Sequence, residues 1–225
     1  MVMVHRLRVA SQDRIEGFYD WFAARQDWQT FYENRALTAL LDHADFGSAT
    51  AIFELGMGTG RFAEHLLSGC LSDCCRYAGI DVSGTMVGLA KQRLKRWEDR
   101  VSILHTEPSA GIPADDLSFD RFVATYVLDL LPEAQIAAFV NEAHRILLPH
   151  GLLCLVSLTK GETPLSRAVC ALWTGLHRIN PLLVGGCRPI RLSRHVTLGP
   201  WEYRFHRIIT AFGVPSEVLV AAKKE

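Results

Sequence analysis

A short apolar run followed at once by three alternating glycines constrains the fold more than any other part of this sequence. The run is Ala51–Leu55, and the glycines are Gly56, Gly58 and Gly60. Such a run bounded by glycines is typical of a buried strand, and the helical spacing of apolar residues from Arg61 onward predicts a helix. Alternating glycines allow a tight turn and bring a ligand close to the backbone. The segment therefore predicts a strand, a ligand-binding loop and a helix in succession.

The alternation of strand and helix continues to about residue 160. Further strands are predicted at residues 77–81, 101–104, 119–126 and 152–158, and helices from Ser83 to about Trp97 and from Pro132 to Leu147. Two final strands are predicted at residues 203–210 and 217–222. Strands that alternate with helices favour parallel pairing, so the fold class is α/β.

Length and composition are those of one globular domain. The chain has 225 residues, 49% of them hydrophobic, and a formal net charge of zero, which excludes a disordered or highly charged tail protein. One domain over 1–225 is predicted, with N-terminal helices at 11–44, a core at 45–160, a cap or substrate segment at 161–200 and C-terminal strands at 201–225. No signal peptide or transmembrane run is expected, and six scattered cysteines favour the reducing cytoplasm.

The glycine spacing and one carboxylate favour a particular ligand. The dinucleotide pattern G-x-G-x-x-G has its third glycine one residue later, where this chain has Arg61. Glu54 precedes the first glycine by two residues, which suits the ammonium and sulfonium of S-adenosylmethionine better than a pyrophosphate. Asp81 ends the next strand and can accept hydrogen bonds from ribose hydroxyls in either ligand. An NAD-type oxidoreductase therefore stays an alternative that the glycine spacing disfavours.

Four sequence blocks together resemble the class I S-adenosylmethionine-dependent methyltransferases. Residues 54–60 match the family's E/D-x-G-x-G-x-G signature, and residues 79–86 match its next block. Residues 117–122 resemble the entry to strand four, and residues 145–151 resemble the R-x-L-x-P-G-G turn before strand five. The resemblance covers about residues 45–160 and is strongest to the small-molecule subgroup that includes ubiquinone and menaquinone biosynthesis methyltransferases. It implies a Rossmann-like seven-stranded, mostly parallel sheet with helices on both faces and an antiparallel last strand.

The resemblance also implies a cofactor site for S-adenosylmethionine. By position in the motifs, its residues are Glu54, Gly56, Met57, Gly58, Gly60, Asp81, Val82, Met86, Glu107 and Thr125. The chain departs from the family at Glu107, which replaces the usual aspartate near the adenine amine, and at the following Pro108, which has no N–H to donate. His150 replaces the first glycine of the turn before strand five.

The acceptor side is less well defined by the sequence. The acceptor pocket is expected near residues 125–129, and Tyr126, Asp129 and His177 are the candidate bases, each of which also has an ordinary structural interpretation. No base is assigned. Methyl transfer requires no metal, and the cysteines at positions 70, 74 and 75 lack a second ligand pair with zinc-site spacing, so no metal is expected.

The C-terminal third is basic and partly apolar. Residues 164–207 contain seven arginines and one glutamate, and within this region residues 188–191 either bind an anionic acceptor or form a solvated loop. The apolar residues around 172–184 suit a lid, a greasy substrate or a membrane surface. No nucleic-acid motif is present. The expected function is methyl transfer by in-line displacement to a small, apolar or partly anionic acceptor; the alternative is a methyltransferase-fold binding protein without turnover, and the oligomeric state is left open.

Overall fold

A computed structural model of the chain describes residues 32–108, 111–197 and 199–224. Seven strands form one sheet: β1 (Ala51–Leu55), β2 (Arg76–Asp81), β3 (Val101–His105), β4 (Phe119–Thr125), β5 (Leu147–Leu158), β6 (Trp201–Ala211) and β7 (Val214–Lys223). The helices are α1 (32–43 within the described part), α2 (Arg61–Gly69), α3 (Gly84–Arg93), α4 (Glu133–Ile146), α5 (Pro164–Ile179) and α6 (Leu192–Val196). Of the predicted N-terminal helices at 11–44, the part up to residue 31 lies outside the described residues.

The strand order is β3-β2-β1-β4-β5-β7-β6. The pairs from β3 to β5 are parallel, whereas β7 runs antiparallel to both β5 and β6. This confirms the predicted Rossmann-like sheet of seven strands with an antiparallel last strand. The order reverses between β1 and β4, and ligands of open α/β sheets bind at the carboxyl ends of the strands beside such a switch point.

Both faces of the sheet are buried, which explains why its central strands are almost continuously apolar. One core combines Ile52, Val123 and Val156 of the sheet with apolar residues of α1, α2 and α3. The opposite core combines Phe53 and Leu155 with residues of α4 and α6. Successive side chains of a strand point to opposite faces. Glu54 therefore lies on the same face as Ile52, against the first core.

The structure changes several predicted boundaries, including those of α3, α4 and the fifth strand. The helix expected from Ser83 to Trp97 ends at Arg93, and residues 95–97 form a separate 3-10 turn. Pro132 is the N-cap of α4 rather than its first helical residue. The fifth strand starts at Leu147 instead of residue 152. His150 has a positive φ of 63°, and the register between β4 and β5 shifts between Phe119 and Arg121, so β5 continues through the predicted turn.

A buried arginine joins α1 to the sheet. The Arg121 guanidinium on β4 donates to the backbone oxygens of Ala44 (2.8 Å) and Asp45 (2.6 Å) and to Ser48 Oγ (2.8 Å). Buried guanidinium groups require such complete bonding. The carboxyl end of α1 is thereby fixed against the strand that leads to the predicted acceptor pocket. Among the described helices, none is long and apolar enough to cross a bilayer.

Candidate functional site

The glycine loop is held tightly against the sheet. The N–H groups of Gly56 and Met57 both donate to Ile80 O, at 2.9 and 3.1 Å, so the loop continues the pairing of β1 with β2. Gly56 has a φ of 66°, and a Cβ at this position would lie 2.4 Å from Val127 Cγ2. Only glycine fits both this backbone conformation and this close approach. Because Gly56 has no side chain, a ligand at the carboxyl end of β1 can approach the backbone closely.

Asp81 connects the loop to the next helix. One carboxylate oxygen accepts the N–H of Gly58 at 2.8 Å, and the other accepts the N–H of Ser83 at 2.9 Å. Burial raises the pKa of Asp81, while these backbone donors act in the opposite direction. The Ser83 hydroxyl in turn accepts the N–H of Met86 and begins α3, as the sequence predicts. Each carboxylate oxygen keeps a further lone pair that can accept a ligand hydroxyl.

Glu54 is buried completely and has one side-chain hydrogen-bond partner among the described residues. The Tyr77 hydroxyl donates to Glu54 Oε2 at 2.7 Å. Desolvation raises the pKa of Glu54 to about 7, the Tyr77 hydrogen bond lowers it, and the nearby Asp81 carboxylate raises it further. A carboxylate held in this way gains most from a cationic ligand, because the ligand supplies the charge compensation that water cannot.

These groups surround one large cavity of about 890 Å³ at the carboxyl ends of β1, β2 and β4. Nine of the ten predicted cofactor residues line it: Glu54, Gly56, Met57, Gly58, Asp81, Val82, Met86, Glu107 and Thr125. The tenth, Gly60, is not among the described residues that line the cavity. It has a φ of 73° and forms the N-cap of α2, where a Cβ would lie 3.2 Å from Ala90 and Leu94. Its function in the loop is conformational.

The three candidate bases differ in their position relative to the cavity. Tyr126 lines the cavity, and its hydroxyl shares a 2.8 Å hydrogen bond with Ser216. Asp129 is fully buried outside the cavity wall and accepts the N–H of Leu158 at 3.0 Å, with burial raising its pKa to about 6. His177 on α5 contacts Gly186 O at 3.2 Å and does not line the described part of the cavity.

Two residues at the start of the described part of α1 line the cavity without having been predicted from the sequence. Tyr32 is buried, and Glu33 is half-buried with a pKa raised to about 7 by desolvation. Both line the cavity. An aromatic residue beside an acid on an amphipathic helix has no motif signal. Only the packing of α1 over the sheet brings these side chains to the site.

Arg188, in the basic segment 188–191, binds groups at the start of α4. The Arg188 guanidinium donates to Leu131 O and pairs with Glu133 at 3.2 Å. It supports the start of α4 and is absent from the described lining of the cavity, whereas Cys187 next to it does line the cavity. The helix α5 exposes the apolar side chains of Leu172 and Ile179. Contact of this helix with a membrane surface stays a prediction.

Comparison with known proteins agrees with this geometry. A family profile described as a methyltransferase domain matches residues 52–151. No curated protein sequence matches the chain.

Three solved structures illustrate the likeness in fold. The N-methyltransferase NodS of Bradyrhizobium japonicum, in complex with S-adenosyl-L-homocysteine, is 22% identical with a TM-score of 0.64 over 86% of this chain and 88% of that one. The YcgJ protein of Bacillus subtilis is 16% identical with a TM-score of 0.64 over 85% and 99% of the two chains. The 4+2 cyclase SpnF is 15% identical with a TM-score of 0.64 over 84% and 81%.

Sequence identities this low show a shared fold and nothing more about chemistry. The family match is more informative, because it covers the glycine loop, Asp81 and strand four, which are the parts that form the cavity. The strand order, the glycine loop and this match together identify residues 52–151 as a class I S-adenosylmethionine-dependent methyltransferase domain.

Proposed function

We propose that the protein transfers a methyl group to a small-molecule acceptor by in-line displacement inside this cavity. The observation that supports the proposal most is the convergence of Glu54, Asp81 and the glycine loop on one cavity at the switch point of the sheet. When bound, S-adenosylmethionine supplies a methyl group that its sulfonium has already activated. The protein then has mainly to align the nucleophile with that methyl group, and alignment alone is worth effective molarities of ~10⁵ M or more.

The residues present fit this cofactor. Glu54 is placed to pair with the ammonium, and the start of α2 offers backbone N–H groups to the carboxylate. Asp81 is placed to accept the ribose hydroxyls. Met86 and Glu107 offer an apolar contact and an acceptor for the adenine. These assignments rest on position in the cavity together with the chemistry of each group.

The acceptor is proposed to be a small molecule with an apolar part. Leu130, Leu131 and Tyr126 line the cavity beyond the end of β4. The expectation of an anionic acceptor depended on residues 188–191, and of these Arg188 pairs with Glu133. The likeness to quinone-biosynthesis methyltransferases depends on motif spacing and stays a prediction.

A base is needed only when the nucleophile loses a proton. Burial raises the pKa of the Tyr126 hydroxyl above its usual range, which makes it a poor base at neutral pH. Asp129 has a suitable pKa of about 6 but lies outside the described cavity wall. Glu33, with a pKa of about 7 and a place in the cavity, is therefore the best-placed candidate.

Calorimetric titration with S-adenosylhomocysteine tests the cofactor assignment. We expect binding to the wild type and a loss of at least tenfold in affinity for Asp81→Asn, because a charged acceptor of two ribose hydrogen bonds is neutralised. Asp115→Asn is the matched control, since Asp115 is exposed and away from the cavity. Absence of binding, or equal affinity in Asp81→Asn, would contradict the proposal.

A second candidate is a methyltransferase-fold protein that binds the cofactor without methyl transfer. The similarity in fold to a 4+2 cyclase favours keeping it, because the same architecture serves a different reaction there. Incubation with S-adenosylmethionine and a panel of small amines, phenols and thiols separates the two. Release of S-adenosylhomocysteine that requires an acceptor supports methyl transfer, and tight cofactor binding with no release across the panel supports the alternative.

A further inference from the structure

One end of the cavity is left unused by the proposed cofactor site. Tyr32, Glu33, Tyr126 and Cys187 form it, with Trp173 behind Tyr32. We call this set the tyrosine end. It lies beside the carboxyl ends of β4 and β5, on the opposite side of β1 from Asp81, because β4 and β2 flank β1 in the sheet.

The aromatic walls of the tyrosine end are fixed by packing and hydrogen bonds. The rings of Tyr32 and Tyr126 meet edge to face at 5.9 Å, and those of Tyr32 and Trp173 at 6.4 Å. The Trp173 indole N–H donates to Cys187 O at 3.0 Å, and the Tyr126 hydroxyl bonds Ser216 at 2.8 Å. Rings held in this way present a rigid surface, and a rigid surface loses little entropy when a ligand binds.

The backbone of Tyr126 is strained at this point. Its φ is 53°, which is unusual for an aromatic residue, and its N–H donates to Val156 O at 2.8 Å. Strained residues of this kind persist where the surrounding structure holds them, and they concentrate at ligand sites. Here the residue with this strained backbone follows β4 directly and lines the cavity.

The charge of the cavity wall is predominantly negative. Its described lining contains the five acids Glu33, Glu54, Glu64, Asp81 and Glu107, and Arg61 is the one arginine or lysine among those described residues. Three of these acids, Glu54, Asp81 and Glu107, have partners in the proposed cofactor. Glu33 is the acid that remains beside the tyrosine end.

Several charged and titratable groups act on Glu33. Desolvation raises its pKa most, the Arg61 guanidinium lowers it, and the Asp129 carboxylate raises it, giving a value of about 7. Glu33 in turn raises the pKa of the Tyr126 hydroxyl and of the Cys187 thiol. A cation placed among these groups would relieve their repulsion, whereas an anion would add to it.

We propose that the tyrosine end is the acceptor subsite and that it binds a small amine in its ammonium form, with Glu33 as the counter-ion and the rings of Tyr32 and Tyr126 around the ammonium. Before methyl transfer the ammonium would give one proton to the Glu33 carboxylate, because only the neutral nitrogen has the lone pair that forms the new N–C bond while the C–S bond of the sulfonium breaks. Aromatic faces attract ammonium groups, and a charge-assisted hydrogen bond to a carboxylate is stronger than a neutral one. The proposal names the acceptor class for the function proposed above and therefore rests on that function.

Three probes that share a phenyl ring and a two-carbon chain test the charge preference: 2-phenylethylamine, 2-phenylethanol and phenylacetate. Each is titrated calorimetrically at pH 8 into protein saturated with S-adenosylhomocysteine. We expect the amine to bind about tenfold or more tightly than the alcohol and phenylacetate to bind weakest. In Glu33→Gln the amine and the alcohol should bind within about threefold of each other, whereas the matched variant Glu64→Gln should keep the wild-type preference.

The affinity for S-adenosylhomocysteine separates this proposal from the proposed function. If Glu33→Gln binds S-adenosylhomocysteine as the wild type does and loses the amine preference, the acceptor subsite is supported. If the amine preference is absent in the wild type or persists in Glu33→Gln, the subsite proposal fails while cofactor binding stands. If Glu33→Gln weakens S-adenosylhomocysteine as much as the amine, Glu33 belongs to the cofactor site and the proposal is overturned.

Discussion

At the scale of the residue, the site depends on pairs of neighbouring residues that match in size or in hydrogen bonding. Gly79 on β2 and Met57 in the loop are an example, because a Cβ on Gly79 would lie 2.4 Å from Met57 Sδ. The methionine fills the space that the glycine leaves, and it is buried in the first core. This pairing explains how a long side chain fits in the tight glycine loop. Glu54 and Tyr77 are a second pair, joined by a buried hydrogen bond.

Removal of the Tyr77 hydroxyl should shift the pH dependence of cofactor binding. A cationic ammonium binds the ionised form of Glu54, so affinity should rise with pH up to about 7 and level off above it. In Tyr77→Phe the carboxylate loses its donor and its pKa rises, by about one unit or more for a hydrogen bond to a charged group. Affinity for S-adenosylhomocysteine at pH 7 should fall about fivefold or more and recover near pH 9.

Titration calorimetry from pH 5.5 to 9.5 measures this shift. Tyr203→Phe is the control, because Tyr203 is exposed on β6 and its hydroxyl bonds Thr197 away from the cavity. Superimposable pH curves for Tyr77→Phe and the wild type would show that the hydroxyl does not set the charge of Glu54.

At the scale of the element, the C-terminal hairpin positions the segment that follows α5. Glu217 on β7 is buried, and its carboxylate accepts the N–H groups of Leu192 (2.8 Å) and Ser193 (3.0 Å) at the start of α6. It also contacts His206 Nε2 at 2.8 Å and accepts the Thr159 hydroxyl at 3.2 Å. One side chain therefore caps a helix and joins it to β5 and β6. An acid in an apolar strand gave no sign of this function in the sequence.

Glu217→Gln should destabilise the fold without affecting the cofactor site. The amide retains one acceptor but loses the charge, so the free energy of unfolding should fall by about 2 kcal/mol. Urea denaturation followed by circular dichroism gives the value. Glu202→Gln should change it by less than about 0.5 kcal/mol, because the Glu202–Arg204 pair is exposed. An equal effect of the two substitutions would rule out Glu217 as a buried cap.

At the scale of the whole molecule, one sheet brings together residues distant in the chain. Glu33 of α1, Asp81 of β2, Tyr126 after β4 and Cys187 after α5 all line the same cavity. A ligand that fills such a cavity binds only the native state and must therefore stabilise the entire fold.

S-adenosylhomocysteine should raise the melting temperature, and NADH should not. At a ligand concentration one hundred times Kd the stabilisation is ~2.7 kcal/mol. For a chain of this size that corresponds to about 5–10 °C. The shift should be smaller at pH 6 than at pH 8, because Glu54 is protonated in the free protein below about pH 7. Scanning calorimetry with each ligand measures it, and a comparable shift with NADH would favour the oxidoreductase alternative.

The sequence by itself determined the strands, the helices and the glycine loop, and it predicted which residues bind the cofactor. Strands, helix spacing and glycine punctuation are local signals, and a motif such as residues 54–60 fixes its own neighbourhood. For that reason β1, α2 and β2 were predicted closely, and nine of ten cofactor candidates line one cavity.

Only the tertiary structure decided which acids and rings meet at the far end of that cavity. Tyr32, Glu33 and Cys187 belong to segments with no motif, and His177 is directed to Gly186 instead. Their positions follow from how α1 and the segment after α5 pack on the sheet. Packing depends on side chains distant in sequence, including Arg121 and Glu217, which no local pattern encodes.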